Sequence, residues 1–488
     1  MTRRASICSV ELAMRKAILS ILCLFLPLAL VAQNEPSLTI YNGGFAVVRE
    51  RLPLDLKPGV NSVQFSGVTT QLEPESVMLR DPEGRRSLQI LEQSYRGDPV
   101  NQGLLLSLYE GKTIDFINRY PDRVETLQGK IIRSGYVPGG GAATQPVIEV
   151  NGKLLFALPG TPLFPALTSD TILKPTLNWQ LQTDKPGAFT AELGYLTNGM
   201  SWKADYNLVS PEKGDSLDLV GWITMNNRTG KVFDNARIRL MAGDVNKIQA
   251  IVRNDRPMMK AMVAAPAAPP VTEKAFDEFH LYTLARPTTL HDQETKQVEF
   301  VSATDVAAKR IYIYDGQRGF WYGGLVGDNA SYGTQSNTKV WVMQEFKNSK
   351  QNHLGVALPK GRLRFYRRDT DGSLQFVGEN EIDHTPADET IRVQTGSAFD
   401  VVGERKRTDY QVNSSQRWAN ESFEIHVRNH KKEAVEVRVV EHLYRWNNWK
   451  ILAESDKDLK TDAQTVEFRV SVPPDGDKAV TYTVHYTW

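Results

Sequence analysis

Thr465-Val466-Glu467-Phe468-Arg469-Val470-Ser471-Val472, then Pro473-Pro474-Asp475-Gly476-Asp477, then Lys478-Ala479-Val480-Thr481-Tyr482-Thr483-Val484-His485-Tyr486-Thr487-Trp488: this C-terminal stretch decides the fold class. Apolar Val466, Phe468, Val470 and Val472 alternate with Thr465, Glu467, Arg469 and Ser471. A period of two puts one face on a core and the other in water, which is the signature of a half-buried strand. The Pro-Pro-Asp-Gly-Asp segment turns the chain, and Val480, Tyr482, Val484, Tyr486 and Trp488 form the apolar face of a last strand.

The same grammar runs back to about residue 36. Lys57-Pro58-Gly59, Asn151-Gly152, Lys185-Pro186-Gly187 and Asp371-Gly372 each separate β-type runs, and these are turn-forming combinations. Phe423 to Val427 and Val435 to Val439 are expected to form a hairpin joined by Asn429-His430-Lys431-Lys432. No window has the spacing of a long amphipathic helix. Many short strands with tight turns predict an all-β chain of multidomain sandwich or barrel architecture.

At the N-terminus, Arg15 and Lys16 precede an apolar run from Ala17 to Ala32, the pattern of a secretory signal peptide. The run is short for a membrane span, which needs about 20 residues. An uncleaved anchor, or a lipid at Cys23, is the alternative reading. Cleavage after Ala32 leaves 456 of the 488 residues, and both cysteines, Cys8 and Cys23, go with the signal. The expected mature chain therefore has no disulfide and no thiolate metal site. Residues 1–32 carry Arg3, Arg4, Arg15 and Lys16 against Glu11, so their removal takes the formal charge from +1 to −2. Such a balance argues against nucleic acid as a partner.

The expected organisation is a signal at 1–32 and an N-terminal β domain at 33–190 with a small barrel-like insert near 104–167. A C-terminal β-sandwich region follows at 191–488, interrupted by a Pro/Ala-rich linker at 257–270. Gly135 to Pro146 and Gly316 to Asn337 are rich in loop formers and read as excursions from the strands.

From about Leu193 onward the chain resembles a bacterial envelope family of unknown function whose all-β domain also closes mucoidy-inhibitor-type proteins. The segments that carry the resemblance include Tyr195-Leu196-Thr197-Asn198-Gly199-Met200-Ser201-Trp202, Asn226-Asn227-Arg228-Thr229-Gly230, Leu358-Pro359-Lys360-Gly361-Arg362 and Gly396-Ser397-Ala398-Phe399-Asp400, with Ile40 to Glu50 near the N-terminus. The resemblance implies an exported protein of the periplasm or cell surface, and it brings no catalytic residues. Mucoidy-inhibitor-type relatives usually carry a coiled coil before this domain, and no heptad run stands here.

Motifs for chemistry are weak. Gly111-Lys112-Thr113 has the end of a phosphate-binding loop, but Leu106 stands where its first glycine is required. Asp369-Thr370-Asp371-Gly372 begins like a calcium loop, yet Leu374 and Asn380 hold the positions of its glycine and glutamate. His426 and His430 have a metal-helix spacing but lie in strand-like sequence. There is no nucleophile elbow. These readings predict no metal and no cofactor, and they lean against an enzyme. The alternative is a glycan-acting hydrolase using carboxylates among Glu379, Glu381, Asp383, Asp388 and Glu389. Ligand-binding candidates are Phe320, Trp321 and Tyr322, aromatic rings set between glycines in the polar excursion, the alternative being that they fold back onto the core. Trp446-Asn447-Asn448-Trp449 is expected to pair two tryptophans across a turn. Lys360, Arg362, Arg364, Arg367 and Arg368 form a basic strip that could meet an anionic polymer. The expected function is a non-enzymatic binding or structural protein of the envelope, with a glycan or protein partner.

Overall fold

The computed structural model describes residues 35–137, 144–165, 167, 171–243, 245–247, 271–276, 278–320 and 329–488. The expected signal at 1–32 and the whole Pro/Ala-rich stretch at 257–270 lie outside them. The described residues are nearly all β, 62% of them in strands and 3% in helix. Its strands form sheets of thirteen, eight, five and three members. Among the described residues the one α-helix is Gln102–Leu108, whose first turn is capped by Asn101 Oδ1 accepting from the Leu104 amide at 2.9 Å. It packs on the five-stranded sheet, with Leu106, Phe116, Ile131 and Ile148 making a small core of their own.

Two larger cores organise the rest. The first joins Leu38, Ile40 and Val48 from the N-terminal strands to Trp202, Tyr206, Ile223, Phe233 and Leu363 from later ones. The strand Ser37–Tyr41 pairs in parallel with Phe233–Ala242, so the eight-stranded sheet draws on distant parts of the chain. The second core packs Phe423, Ile425, Val480, Tyr482 and Val484 against Val437, Val439, Val466, Phe468 and Val470. Each such side chain removed from water contributes roughly 1.5–3 kcal/mol. The 22-residue strand Glu294–Asp315 links the cores. Its first half pairs with Ser216–Asn227, and its second half pairs with Lys339–Lys347 and, in parallel, with Val435–His442.

Two expected hairpins are crossovers. Trp418–Asn429 pairs with Thr390–Asn413 and Gly476–Thr487, whereas Val435–His442 pairs with Thr465–Val472. Hence Asn429 to Lys432 and Pro473 to Gly476 each carry the chain from one layer to the layer facing it. Alternation shows which face of a strand is apolar. It does not say whether the next strand meets that strand edge to edge or face to face. Two polar positions of the opening stretch also turn inward: Thr465 and Glu467 are buried, the latter ion-paired with Arg469 and Arg438.

The corners of the two cores are built alike. Asn227 Nδ2 donates to the carbonyls of Lys231, Leu290 and His291, and its Oδ1 accepts from the Thr229 amide. Asn429 Nδ2 donates to Glu433, Val472 and Pro473, and its Oδ1 accepts from the Lys431 amide. Six residues past each asparagine, Phe233 pairs with Leu290 and Val435 with Val472. Asn227 itself pairs with Glu294 and Asn429 with Gly476, four residues beyond Leu290 and Val472. The offsets agree at every step, so the second core repeats the corner of the first. The repeat has no fixed period in sequence because 57 residues separate Phe233 from Leu290 and 37 separate Val435 from Val472.

Candidate functional site

The strongest concentration of buried charge lies beneath the excursion that begins at Gly316. Strict alternation along Trp418–Asn429 turns Ala419, Glu421, Phe423, Ile425 and Val427 inward, which puts a carboxylate among apolar side chains. Arg405 on Thr390–Asn413, Glu441 at the end of Val435–His442, and Arg445 just beyond it are buried beside it. An isolated charge here would cost several kcal/mol, so the partners decide whether the arrangement stands.

Every charge has one. Arg405 Nε lies 2.9 Å from both oxygens of Glu441, with side-chain exposures of 1% and 0%. Tyr482 O–H donates to Glu441 Oε2 at 2.5 Å. Arg445 Nη2 lies 2.7 Å and Arg407 Nη1 3.0 Å from Glu421 Oε1. Burial opposes the Arg405 charge, and Glu441 more than offsets it, so the guanidinium pKa is raised. Burial, then the Glu441 charge, keep the Tyr482 phenol well above its ordinary range.

The arginines use their remaining N–H groups on main-chain carbonyls of the excursion. Arg405 Nη1 donates to Gly333 O at 2.7 Å, and Arg445 donates to Asn329 O at 3.0 Å and Tyr332 O at 2.9 Å. Arg407 Nη2 donates to Ala330 O. The base of the excursion is tied as firmly. Asn337 Nδ2 reaches the carbonyls of Asp315, Gly316 and Arg318, while Tyr314 O–H donates to Asn337 O at 2.8 Å. Gln317 links the two halves when its amide is oriented to suit its neighbours: the oxygen then accepts from Arg405 Nη2 at 2.9 Å and the nitrogen donates to His442 O at 3.2 Å. His442 Nε2 lies 3.0 Å from Asp315 Oδ2. Burial disfavours the imidazolium, but Asp315, with Glu441 and Asp462 beyond, outweighs it and raises the His442 pKa.

Phe320 is 36% exposed at the end of this tied base, where its amide donates to Gln317 O. Nearby, Arg318 lies 4.5 Å over the Trp341 ring and donates to Gln394 Oε1. Trp321 and Tyr322 lie outside the described residues.

Other sequence candidates resolve differently. Arg362 faces Glu381 and Arg364 faces Glu379 across the hairpin of Gly361–Arg368 and Leu374–Ile382, and Lys360 pairs with Asp383. Lys360, Arg362 and Arg364 thus neutralise Glu379, Glu381 and Asp383 on one ladder, while Arg367 and Arg368 face Gln375 and Leu374, and Asp388 and Glu389 lie off it. The expected tryptophan pair does not form. Trp446 stacks on Trp488 at 3.8 Å and 7°, while Trp449 Nε1 donates to Ala463 O. The strands flanking Trp446 pair with different partners, so no hairpin brings the two rings together. His426 sits on an outer strand face between Asp477 and Glu424. No group of three or more potential metal ligands occurs among the described residues. Gly111 and Lys112 form a turn, with the Lys112 amide donating to Tyr109 O.

Residues 191–488, 298 of the 488, match a family model described as a domain of unknown function, DUF4139. The chain belongs to that family. No curated protein matches the chain. The DUF4139 region begins within the strand Gly187–Asn198 and includes both asparagine corners and the whole Arg–Glu cluster. Sequence reading missed that cluster. The available signal was a charged residue at an apolar-phase position, Glu421 between Ala419 and Phe423.

Proposed function

We propose that this DUF4139 protein is exported to the bacterial envelope and acts there as a non-enzymatic binding protein, at the periplasm or cell surface. Its recognition element is the excursion from Gly316 to Asn337, with Phe320, Trp321 and Tyr322 as the contact residues. The observation that carries this reading is the use of three buried or half-buried arginines, Arg405, Arg407 and Arg445, to hold main-chain carbonyls of residues 329–333. Contacts to carbonyls position a loop and leave its side chains for a partner, which is how binding loops are mounted on rigid β scaffolds. Export is supported by Arg15, Lys16 and the apolar run to Ala32, and by the confinement of cysteine to positions 8 and 23. Among the described residues no helix is long and apolar enough to cross a membrane. Kinship with mucoidy-inhibitor-type proteins fits the same segments. Against the hydrolase reading, Glu379, Glu381 and Asp383 each face a basic partner on an exposed ladder.

The test is retention of the chain from Gln33 onward on envelope fractions of its host. The reading expects retention that falls at least about tenfold with Trp321→Ala, a loss of about 1.4 kcal/mol. Equal retention of both forms would overturn the assignment to the excursion.

A further inference from the structure

On the outer side of the second core, Trp418–Asn429 and Gly476–Thr487 pair without a register break. Their outward residues form rows: Trp418 with Thr487, Asn420 with His485, Ser422 with Thr483, and Glu424 with Thr481. Both flanking strands carry a β-bulge at the same level. In Thr390–Asn413 it falls at Thr408, opposite Ser422 and Phe423, and in Asn448–Glu454 it falls at Leu452, opposite Thr483 and Val484. A bulge bends and twists its strand. Two bulges on either side of one row leave an open trough of about 420 Å³, lined by Thr408, Ser422, Thr481, Thr483, Glu424 and Glu454.

Hydroxyls and carboxylates line the trough, with Ala453 between them. Ser422 Oγ and Thr483 Oγ1 are 2.9 Å apart and share one hydrogen, so each keeps further donor or acceptor capacity. Glu424 accepts from His426 Nε2 and Glu454 from the Asp458 amide, and each carboxylate has lone-pair sites to spare. At one end Trp418 stacks with His485 at 6.1 Å and 30°, and Asn420 Oδ1 fixes His485 Nδ1 at 2.7 Å. Four residues separate Trp418 from Ser422 on one strand, about 13 Å.

We infer that this sheet face is a binding site for an uncharged oligosaccharide. Sugar hydroxyls would donate to Glu424 and Glu454 and exchange hydrogen bonds with the serine and threonine hydroxyls. The apolar C–H face of a further sugar would lie on Trp418. The spacing requires a chain rather than a single sugar to reach both ends, and Lys406 opposite Glu424 and Lys450 opposite His485 balance the two carboxylates, so the face carries no excess charge to recruit an ionic polymer. The inference rests on the reading of the chain as an envelope binding protein, but not on the excursion, whose Phe320 is on a different element.

The experiment is calorimetric titration of the full mature chain with cellotetraose, chitotetraose, glucose, N-acetylglucosamine and an acidic tetragalacturonate. The expected result is that a neutral tetraose binds and that its monosaccharide and the acidic tetramer bind at least about tenfold more weakly. Glu424→Gln and Trp418→Ala should each weaken the tetraose at least about tenfold, near the worth of one hydrogen bond to a charged group. Both side chains point outward, so thermal unfolding checks that each variant is folded. The inference is overturned if no tetraose binds, if monosaccharide and tetraose bind alike, or if both variants bind like the native chain. Loss of binding in Trp321→Ala but not in Trp418→Ala would also overturn it while supporting the excursion. Retention on envelope fractions tests the parent reading separately.

Discussion

At Asn227 and at Asn429 the chain turns the same corner, with the same main-chain hydrogen bonds at the same offsets, and yet the two cores are finished with different chemistry. In the first, aromatic rings close the interior: Tyr206 and Tyr282 pack around Phe300 at 5.8 and 6.4 Å. Their hydroxyls donate to the carbonyls of Pro359 and Ala357, fixing the segment that leads into the strand Gly361–Arg368. In the second, Arg405, Glu441, Arg445 and Glu421 occupy the equivalent task, and the segment they fix is the excursion. A neutral tyrosine hydroxyl can hold one carbonyl. A guanidinium can hold a carboxylate and two carbonyls at once, because its donors form a rigid planar fork. The difference teaches that the second core accepts the desolvation cost of buried charge in return for multiple anchors on a long loop. Replacing a buried ion pair by well-packed apolar side chains is often neutral or stabilising, so a buried ion-pair cluster is weak evidence of a role in stability.

Breaking the charged side should have the largest effect. Glu441→Ala leaves Arg405 buried without its partner and is expected to destabilise the chain by about 3–5 kcal/mol. Tyr206→Phe in the first core removes one neutral hydrogen bond and should cost about 1 kcal/mol. Chemical denaturation of the two variants would compare them, and equal losses would contradict the contrast drawn between the cores.

The main-chain parts of the two corners should cost alike. Asn227→Ala and Asn429→Ala each strand three main-chain carbonyls and one amide, at about 1–3 kcal/mol, and Asn227→Ala strands the buried Thr229 hydroxyl besides. A difference in the same denaturation series well beyond one neutral hydrogen bond, about 1 kcal/mol, would show that the shared geometry does not carry a shared energy.

A smaller effect separates the cores by pH. The His442 pKa is raised in the folded chain, so the His442–Asp315 pair stabilises in full below the ordinary histidine value of about 6.5. That contribution is lost as pH rises through the raised folded value. Stability of the native chain should therefore fall with rising pH relative to His442→Gln, measured as the difference in denaturation midpoint from about pH 6 upward. Identical profiles would remove His442 from the account. The smallest change is expected at Arg362→Ala on the exposed ladder, within about 1 kcal/mol by the same denaturation measurement.

Much of this architecture is legible in the sequence. Val480, Tyr482, Val484 and Tyr486 announce an inward face, and that face is buried in the second core. The Asp371-Gly372 turn joins two paired strands as its residue types imply. Partner choice was not legible, because a period of two is the same whether Val466 and Val484 share a sheet or face each other across a core. The Asn corner hid in plain view: Asn227 and Asn429 look like ordinary turn residues until the carbonyls they hold, dozens of residues away, are known. The Arg–Glu cluster was hidden for a related reason. Glu421, Arg405 and Arg445 are far apart in sequence, and only pairing makes their burial tolerable. Of the site, the aromatic run at Phe320 was legible only as a candidate, with exposure and burial both open, while the arginines that mount the loop went unnoticed.

Arg445→Lys offers the most direct test of the central claim that buried arginines mount a recognition loop. Lysine can keep the charge opposite Glu421 but cannot span Glu421, Asn329 O and Tyr332 O together. Amide exchange at residues 329–337 should be measured beside retention on envelope fractions. The account predicts faster exchange in that segment, little change elsewhere, and retention reduced at least about tenfold. Faster exchange with undiminished retention would contradict it.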